Sequence, residues 1–426
     1  MMGTPGDKAY RSEEVLKLAS DAGRVLLENG AEISRVEETM ERIADNYGES
    51  GEKFFVLSNG IFTTGKSYAN AEFIPIKGAR LEKVVAVNQL SREISRDNIP
   101  LPEAVSRLEK IKQLPAKPVW EQFLGAVFGC GGFCIIFGGS LLDCLSSMIA
   151  AFVLQFFSVK VASPYLSKTL GNICGGLIGT LLCILLYNLG LGSSLGNMVV
   201  GTLILLIPGV PFTNGLRDVA NEDYLAGMTR LIDALMMFLC IAIGVCFAFI
   251  AHSWISGGVM QLSGTLTDEF TAHIPVQLFA ALVGTASFAI LFGVPRKFYL
   301  ASGVVGMLGW LVFMLTMRYT PLGDFASTFL AATVVAFLSR WSAVKLKCPS
   351  TVFLICGVFP LIPGAGVFWS AYYTASTQLN AAIMTGLTSV KLTLAIVLGI
   401  IIATNVFHTD NWRPRSARDL NSHLDR

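Results

Sequence analysis

The chain has 426 residues, 53% of them apolar, and 32 Lys+Arg against 30 Asp+Glu give a formal net charge of +2. Of these charged residues 35 precede Val119 and 27 are spread over everything that follows, so two physical regimes share one chain. The front part carries 17 basic and 18 acidic residues, which leaves no basic footprint and excludes nucleic acid as a partner.

Residues 1–14 are polar and contain no apolar run, so no cleaved signal peptide is expected. Met2-Gly3 misses the myristoylation pattern, which needs Gly directly after the initiator Met. The front domain, residues 1–119, is therefore expected in the cytosol. Within it Leu16, Ala19, Ala22 and Leu26, then Ile33, Val36, Met40 and Ile43, recur at helical spacing, and Asn29-Gly30 closes the first helix. Phe54 to Leu57 and Ile61-Phe62 flank Asn59-Gly60, a hairpin signal, and 73–76 reads as a third strand. Helices over 81–96 and 102–113 complete an α+β unit. The acidic residues Glu28, Glu32, Glu37, Glu38 and Glu41 stand near Arg24, Arg35 and Arg42, which reads as a solvated, ion-paired helical face.

The stretch Gly60 to Ser67, with Gly65-Lys66-Ser67 at its end, satisfies the phosphate-loop pattern G-x-x-x-x-G-K-[ST]. A working loop opens into a helix whose N-terminus holds phosphate, whereas a strand-like 72–76 follows here, so the match reads as accidental. A nucleotide-gated or ATP-driven pump through 60–67 stays as the alternative. His252, His273, His408, His423 and all nine Cys lie beyond the front domain, which removes Ser-His-Asp and Cys-His catalysis there. No enzyme activity, cofactor or metal is expected. The cysteines are odd in number and sit in apolar stretches, so they read as small hydrophobes.

Beyond Trp120 ten apolar runs follow, near 123–140, 143–161, 170–188, 196–213, 231–252, 275–293, 298–317, 325–341, 350–369 and 388–407. Each has the length a helix needs for the roughly 30 Å bilayer core. Alternate connections hold Lys160 and Lys168, then Arg217 and Arg230, Arg296 and Lys297, Arg340, Lys345 and Lys347, and the arginine-rich tail; the opposite side receives Arg318 and Lys391. That asymmetry predicts a multi-pass inner-membrane protein with both termini cytosolic, residues 409–426 forming a cytosolic tail.

Leu206-Ile207-Pro208-Gly209 recurs as Leu361-Ile362-Pro363-Gly364, and 363 − 208 = 155; Phe137-Gly138 and Phe292-Gly293 share the offset. The same displacement registers five runs onto five, 120–254 onto 275–408. Five is odd, so head-to-tail copies face opposite ways across the membrane. The predicted fold is an all-α membrane bundle of ten transmembrane helices in two five-helix inverted repeats, behind an N-terminal cytosolic α+β domain.

Pro208 removes the donor for the carbonyl of Ile204, Pro211 that for Ile207 and Pro363 that for Phe359. Such breaks concentrate where a polar cavity exists. The substrate site is therefore expected between them, on Pro208, Gly209, Pro211, Thr213, Asn214, Pro363 and Gly364. A dense polar patch over 212–233 follows the first break. In it Glu222 and Asp223 read as an ordinary loop, and Asp218 and Asp233 are the candidates for carrying a coupling proton. Asp233 is placed in the first turn of the fifth run; Asp218 has the alternative of pairing with Arg217 or Arg230 to shape the loop.

Leu27-Glu28-Asn29-Gly30-Ala31 with Arg35-Val36-Glu37, Ser58-Asn59-Gly60-Ile61-Phe62, and Pro208 to Asn214 with Arg217-Asp218 and Gly227 resemble the threonine/serine exporter (ThrE-like) family. The second half, with Pro363-Gly364, resembles the smaller companion subunit that some members use as a separate chain. The resemblance implies a secondary exporter of small hydroxy amino acids, threonine and serine, driven by the ion gradient, with protons and the lipid bilayer as further partners. Succinate (dicarboxylate) export is the alternative substrate assignment, and a homo-oligomer is left open. Lys66-Ser67 is not part of the family pattern.

Overall fold

In a computed structural model, which describes residues 5–49, 53–65, 68–75, 78–257 and 268–405, an α+β domain precedes a helical bundle. Helices α1 (Pro5–Glu28) and α2 (Ile33–Asn46) reverse direction where Gly30 takes φ 88°. The Ala31 N–H reaches back 3.0 Å to the Leu26 carbonyl and closes α1 in the manner of a Schellman turn. Strands β1 (Lys53–Leu57), β2 (Gly60–Thr64) and β3 (Ala69–Phe73) form an antiparallel sheet in the order 1-2-3, and α3 (Leu81–Asp97) and α4 (Leu101–Lys112) follow. Phe54, Val56 and Ile61 turn one sheet face onto a buried core with Leu16, Leu26, Met40, Val84 and Ile94.

The third strand lies earlier than the predicted 73–76. The hairpin register pairs Gly60 with Phe73, so the polar run Ala69 to Glu72 is drawn into the edge strand; apolarity alone points past it. Lys66 and Ser67 lie outside the described residues, and β3 stands where a phosphate loop needs a helix.

The bundle comprises α5 (Val119–Ile136), α6 (Leu141–Phe157), a π turn (Ser158–Ala162) running into α7 (Ser163–Tyr165), α8 (Lys168–Asn188), α9 (Leu195–Leu203), α10 (Gly209–Ala220) and α11 (Tyr224–Ser256). After the connector come α12 (Ile274–Leu291), α13 (Tyr299–Tyr319), α14 (Gly323–Leu346), α15 (Thr351–Val358), α16 (Gly364–Ala375) and α17 (Leu379–Asn405). Among the described residues nine helical segments are long and apolar enough to cross a bilayer, and ten if the pair around Pro208 counts as one span. The break expected at Pro208 is a sharp bend: 195–206 and 209–220 meet at 70°. The fifth and tenth helices begin at Tyr224 and Leu379 rather than near 231 and 388. Hydropathy marks the apolar centre of a helix, while its hydrogen-bond ladder continues through polar turns at its end.

Helix starts recur at one spacing: Val119 and Ile274, Gly209 and Gly364, Tyr224 and Leu379, with 274 − 119, 364 − 209 and 379 − 224 all equal to 155. Packing follows suit, since α8 lies on α11 as α14 lies on α17, and α10 on α17 as α16 on α11. Helices α5 and α12 pack on each other at the centre. A Cβ on Gly132 would lie 2.8 Å from the Ala280 carbonyl oxygen, so only glycine permits that approach.

Candidate functional site: two helix breaks and a docked turn

At the first break α9 tightens into a 3-10 turn (Ile204–Leu206), Ile207 becomes extended at ψ 127° and Pro208 follows at ψ 61°. The second break repeats this, with a 3-10 turn (Phe359–Leu361), Ile362 at ψ 129° and Pro363 at ψ 51°. Proline forbids the next ladder bond, and the chain satisfies the exposed carbonyls locally. The Ile207 N–H donates to Ile204 (3.2 Å) and the Ile362 N–H to Phe359 (3.2 Å). Those two carbonyls, expected to be free for a ligand, thus each accept a local bond.

The breaks press on each other. A Cβ on Gly209 would run into the ring of Phe359, and one on Gly364 into Ile207. Phe359 is also held by Phe288 at 4.3 Å and Phe133 at 5.3 Å between ring centres. Between the breaks remains a crevice of about 10 Å³ lined by Ile204, Ile207, Phe238, Gly364, Val367 and Phe368, room for about one water molecule. The region between the two Pro-Gly pairs is thus closed and apolar in this conformation.

Polar chemistry gathers one step away, on the face of α10 turned to the front domain. Thr213, Asn214, Arg217, Asp218 and Asn221 recur at three- and four-residue steps and share that face. They meet the α1–α2 turn. Asn214 Nδ2 donates to the Gly30 carbonyl (2.7 Å), and Asn221 Nδ2 to Ser34 Oγ (3.3 Å). Asp218 is fully buried, accepts from Arg230 Nη1 (2.6 Å) and from the Ile33 N–H (3.2 Å), and so caps the start of α2. Arg230 Nη2 continues to the Ala31 carbonyl (3.0 Å).

Glu32, also fully buried, lies 3.3 Å from Arg217 and 3.3 Å from Arg35 and accepts from Thr351 Oγ1 (2.5 Å). Burial opposes its ionisation, but Arg217, Arg35 and the Thr351 hydroxyl outweigh burial and hold the carboxyl at about 2. Arg217 is fixed in turn by Thr351 (2.8 Å) and Ser350 (3.1 Å), which brings α15 of the second half into the same cluster. Thr213 Oγ1, Asn214 Oδ1 and Arg217 Nε are buried there without a hydrogen-bond partner among the described residues. A second seam reinforces the dock: the Leu81 and Glu82 N–H groups donate to the Phe292 and Gly293 carbonyls at 3.1 and 2.7 Å.

Several sequence expectations change here. The acidic run on α2 is not a solvated face, because Glu32 and Arg35 are buried at the dock and Arg24 pairs with Glu72 on β3. Thr213 and Asn214 do not line the crevice between the breaks: Asn214 is bonded to the turn, and Thr213 is buried one residue before it. Asp218 has Arg230 as its partner, the pairing weighed as its alternative. Asp233 lies in the third turn of α11, not the first turn of a span, and is exposed on its outer face. Only Asn221, Glu222 and Asp223 separate α10 from α11, so the polar patch is almost wholly helical.

The sequence pattern described as "Putative threonine/serine exporter" matches residues 17–251, more than half of the chain. The chain belongs to the threonine/serine exporter family. A second pattern of this family, "Threonine/Serine exporter, ThrE", matches residues 277–406, so both family parts are fused in one polypeptide. The threonine/serine exporter of Corynebacterium glutamicum is 23% identical over 95% of this chain and 85% of its own length. The probable threonine/serine exporter of Mycobacterium tuberculosis is 20% identical over 92% of this chain and 77% of its own length. The probable succinate transporter subunit YjjP of Klebsiella aerogenes is 23% identical over 57% of this chain and 96% of its own length. No solved structure matches the chain. With its apolar helices this member of the exporter family is a multi-pass membrane protein, and two of the motifs that resemble the family, Glu28 to Glu37 and Pro208 to Asp218, are the two sides of one interface.

Proposed function

We propose that the chain is a secondary exporter that carries threonine and serine out across the cytoplasmic membrane by alternating access between two opposed five-helix halves, 120–254 and 275–408. One observation carries this reading: two helix breaks of matching backbone geometry, 155 residues apart, close on each other around a crevice of about 10 Å³. A break of this kind is a hinge, and a pair related by an odd number of spans opens toward opposite sides. The front domain and its dock stand on the cytosolic side, where the charged connections gather. The tail, 409–426, lies outside the described residues and is assigned to the same side by its arginines.

A zwitterion needs one cationic and one anionic partner. Arg217 and Asp218 are adjacent on α10 and supply one of each, and the relatives that match most of this chain are named threonine/serine exporters, whereas the succinate transporter subunit matches 57% of it. Threonine and serine are therefore favoured over succinate. Thr213 and Asn214 serve the substrate hydroxyl, Pro208, Gly209, Pro211, Pro363 and Gly364 shape the hinge, and Asp218 carries the coupling proton by exchanging Arg230 for a proton. Asp233, exposed on α11, is given no role.

The purified protein in liposomes with an imposed proton gradient tests this. Labelled threonine and serine should be concentrated and should compete with each other, and Asp218→Asn should abolish concentration. Concentration of succinate with no movement of threonine would overturn the assignment.

A further inference from the structure

The α1–α2 turn offers α10 a carboxylate and a nitrogen donor, the two kinds of polar group that an amino acid carries. Glu32 presents a carboxylate to Arg217 and Thr351, and one residue on, Ile33 presents an N–H to Asp218. The Gly30 and Ala31 carbonyls occupy Asn214 and Arg230. A free amino acid also carries a carboxylate and a nitrogen donor, two bonds apart where the Glu32 carboxylate carbon and the Ile33 nitrogen are five.

We infer that the turn Asn29–Ile33 occupies the cytosolic entry site for the exported amino acid, with the Glu32 carboxylate standing where the substrate carboxylate binds Arg217 and Thr351, and the Ile33 N–H standing where the substrate ammonium binds Asp218. This rests on the export reading above and adds to it the recognition groups and their competitor. Three buried polar atoms, Thr213 Oγ1, Asn214 Oδ1 and Arg217 Nε, have no partner among the described residues in the docked state, so the turn satisfies this surface only in part. A ligand with a hydroxyl supplies what the turn lacks. Asn214, 2% exposed and bonded to the Gly30 carbonyl, becomes reachable only when the turn withdraws, and Thr213 beside it is 1% exposed. Docking by the turn and binding of substrate are then mutually exclusive, and the measured affinity is the intrinsic one reduced by the undocked fraction.

The test uses the full chain in nanodiscs and liposomes, with labelled L-threonine as the probe. Ser34 Oγ and Asn221 Nδ2 lie 3.3 Å apart, so a Ser34→Cys/Asn221→Cys pair should form a disulfide that locks the turn down. Three results are expected: threonine slows formation of this disulfide, the locked protein binds no threonine, and reduction restores binding. Glu32→Gln, which keeps a hydrogen-bonding group for Thr351 but removes the competing charge, should lower the half-saturating threonine concentration by about tenfold, as expected if about nine-tenths of the molecules are docked. Threonine binding to the locked protein at the unlocked affinity would overturn the inference. So would an unchanged or raised half-saturating concentration in a folded Glu32→Gln protein. The unmodified protein is the separate control for the export reading. If it moves no threonine or serine, that reading fails; if it moves them while the locked protein binds normally, only the entry-site inference fails.

Discussion

At the first break Ile207 and Pro208 have ψ of 127° and 61°, and at the second Ile362 and Pro363 have 129° and 51°, yet the helices that leave them carry different chemistry. Where α10 presents Thr213, Asn214, Arg217 and Asp218, the positions 155 residues later on α16 hold Phe368, Trp369, Tyr372 and Tyr373. Those rings pack among themselves and against Phe249, with Trp369 and Tyr373 centred 5.7 Å apart and Phe249 and Tyr372 5.2 Å apart. The backbone of a break follows from Ile-Pro-Gly, so it recurs with the sequence; the outer face of the helix is free to diverge. One end is held by ion pairs, Arg217 with Glu32 and Arg230 with Asp218, the other by aromatic packing.

The largest effect is expected from the charged end. Arg217→Gln leaves buried Glu32 without one of its two cations, a loss of about 3 kcal/mol or on the order of 100-fold in an equilibrium. Thermal unfolding in detergent and threonine uptake should both register it. Phe368→Leu at the aromatic end keeps most of the volume and should cost under about 1.5 kcal/mol. Equal losses at the two ends would erase the contrast.

A smaller difference separates the glycines. Gly209→Ala drives a methyl into the stiff, fully packed ring of Phe359 and should destabilise by about 2 kcal/mol. Gly364→Ala meets only the Cδ1 end of Ile207, a side chain that can rotate, and should cost less than about 1 kcal/mol. Denaturation midpoints of the two variants in the same detergent check the order.

The dock also carries a titration. Burial pushes the Glu37 carboxyl up to about 7, the Val56 N–H (3.2 Å) pulls it down, and Asp223, Glu41 and Asp218 raise it further. Because the folded value lies above the ordinary 4.5, the stability it contributes is full below about 4.5 and is lost as pH rises through about 7, and Asp223 and Asp218 across the dock add to the rise. Glu32 has the opposite sign, present above 4.5 and lost only as pH falls towards 2, so it stays constant near neutrality. Opening of the α1–α2 turn, read by hydrogen exchange and corrected for the intrinsic pH dependence, should rise from pH 6 to pH 8, and Glu37→Gln should flatten the rise. The smallest effect is expected at Lys66→Ala, where transport should stay within about twofold of the native rate; loss of transport together with ATP binding would revive the nucleotide-driven alternative.

Much of this was legible in the chain itself. Apolar periodicity and Asn29-Gly30 give the front helices, Asn59-Gly60 gives the hairpin, and the 155-residue offset gives both breaks, because each is local chemistry. Glu32 was not legible as a buried group: it sits in an acidic run that resembles any solvated helical face, and Arg217 and Thr351, which hold it, stand 185 and 319 residues away. Asp233 misled for the converse reason, since a charge beside an apolar run looks buried until the helix phase turns it outward. Contacts between distant segments leave no periodic trace, although motifs of unexplained polarity in both segments were the hint that they meet.

The most direct measurement concerns the opposed halves. Glu222 and Thr377 are exposed, both have positive φ (70° and 60°), follow α10 and α16 and are 377 − 222 = 155 residues apart, which makes them matched reporters. Glu222→Cys and Thr377→Cys proteins, each compared with the parent chain, would be exposed to a membrane-impermeant maleimide in intact cells and in inverted vesicles. The account predicts that Thr377→Cys labels only in cells and Glu222→Cys only in inverted vesicles. Labelling of both from the same face would contradict it, because two breaks opening to one side cannot alternate access.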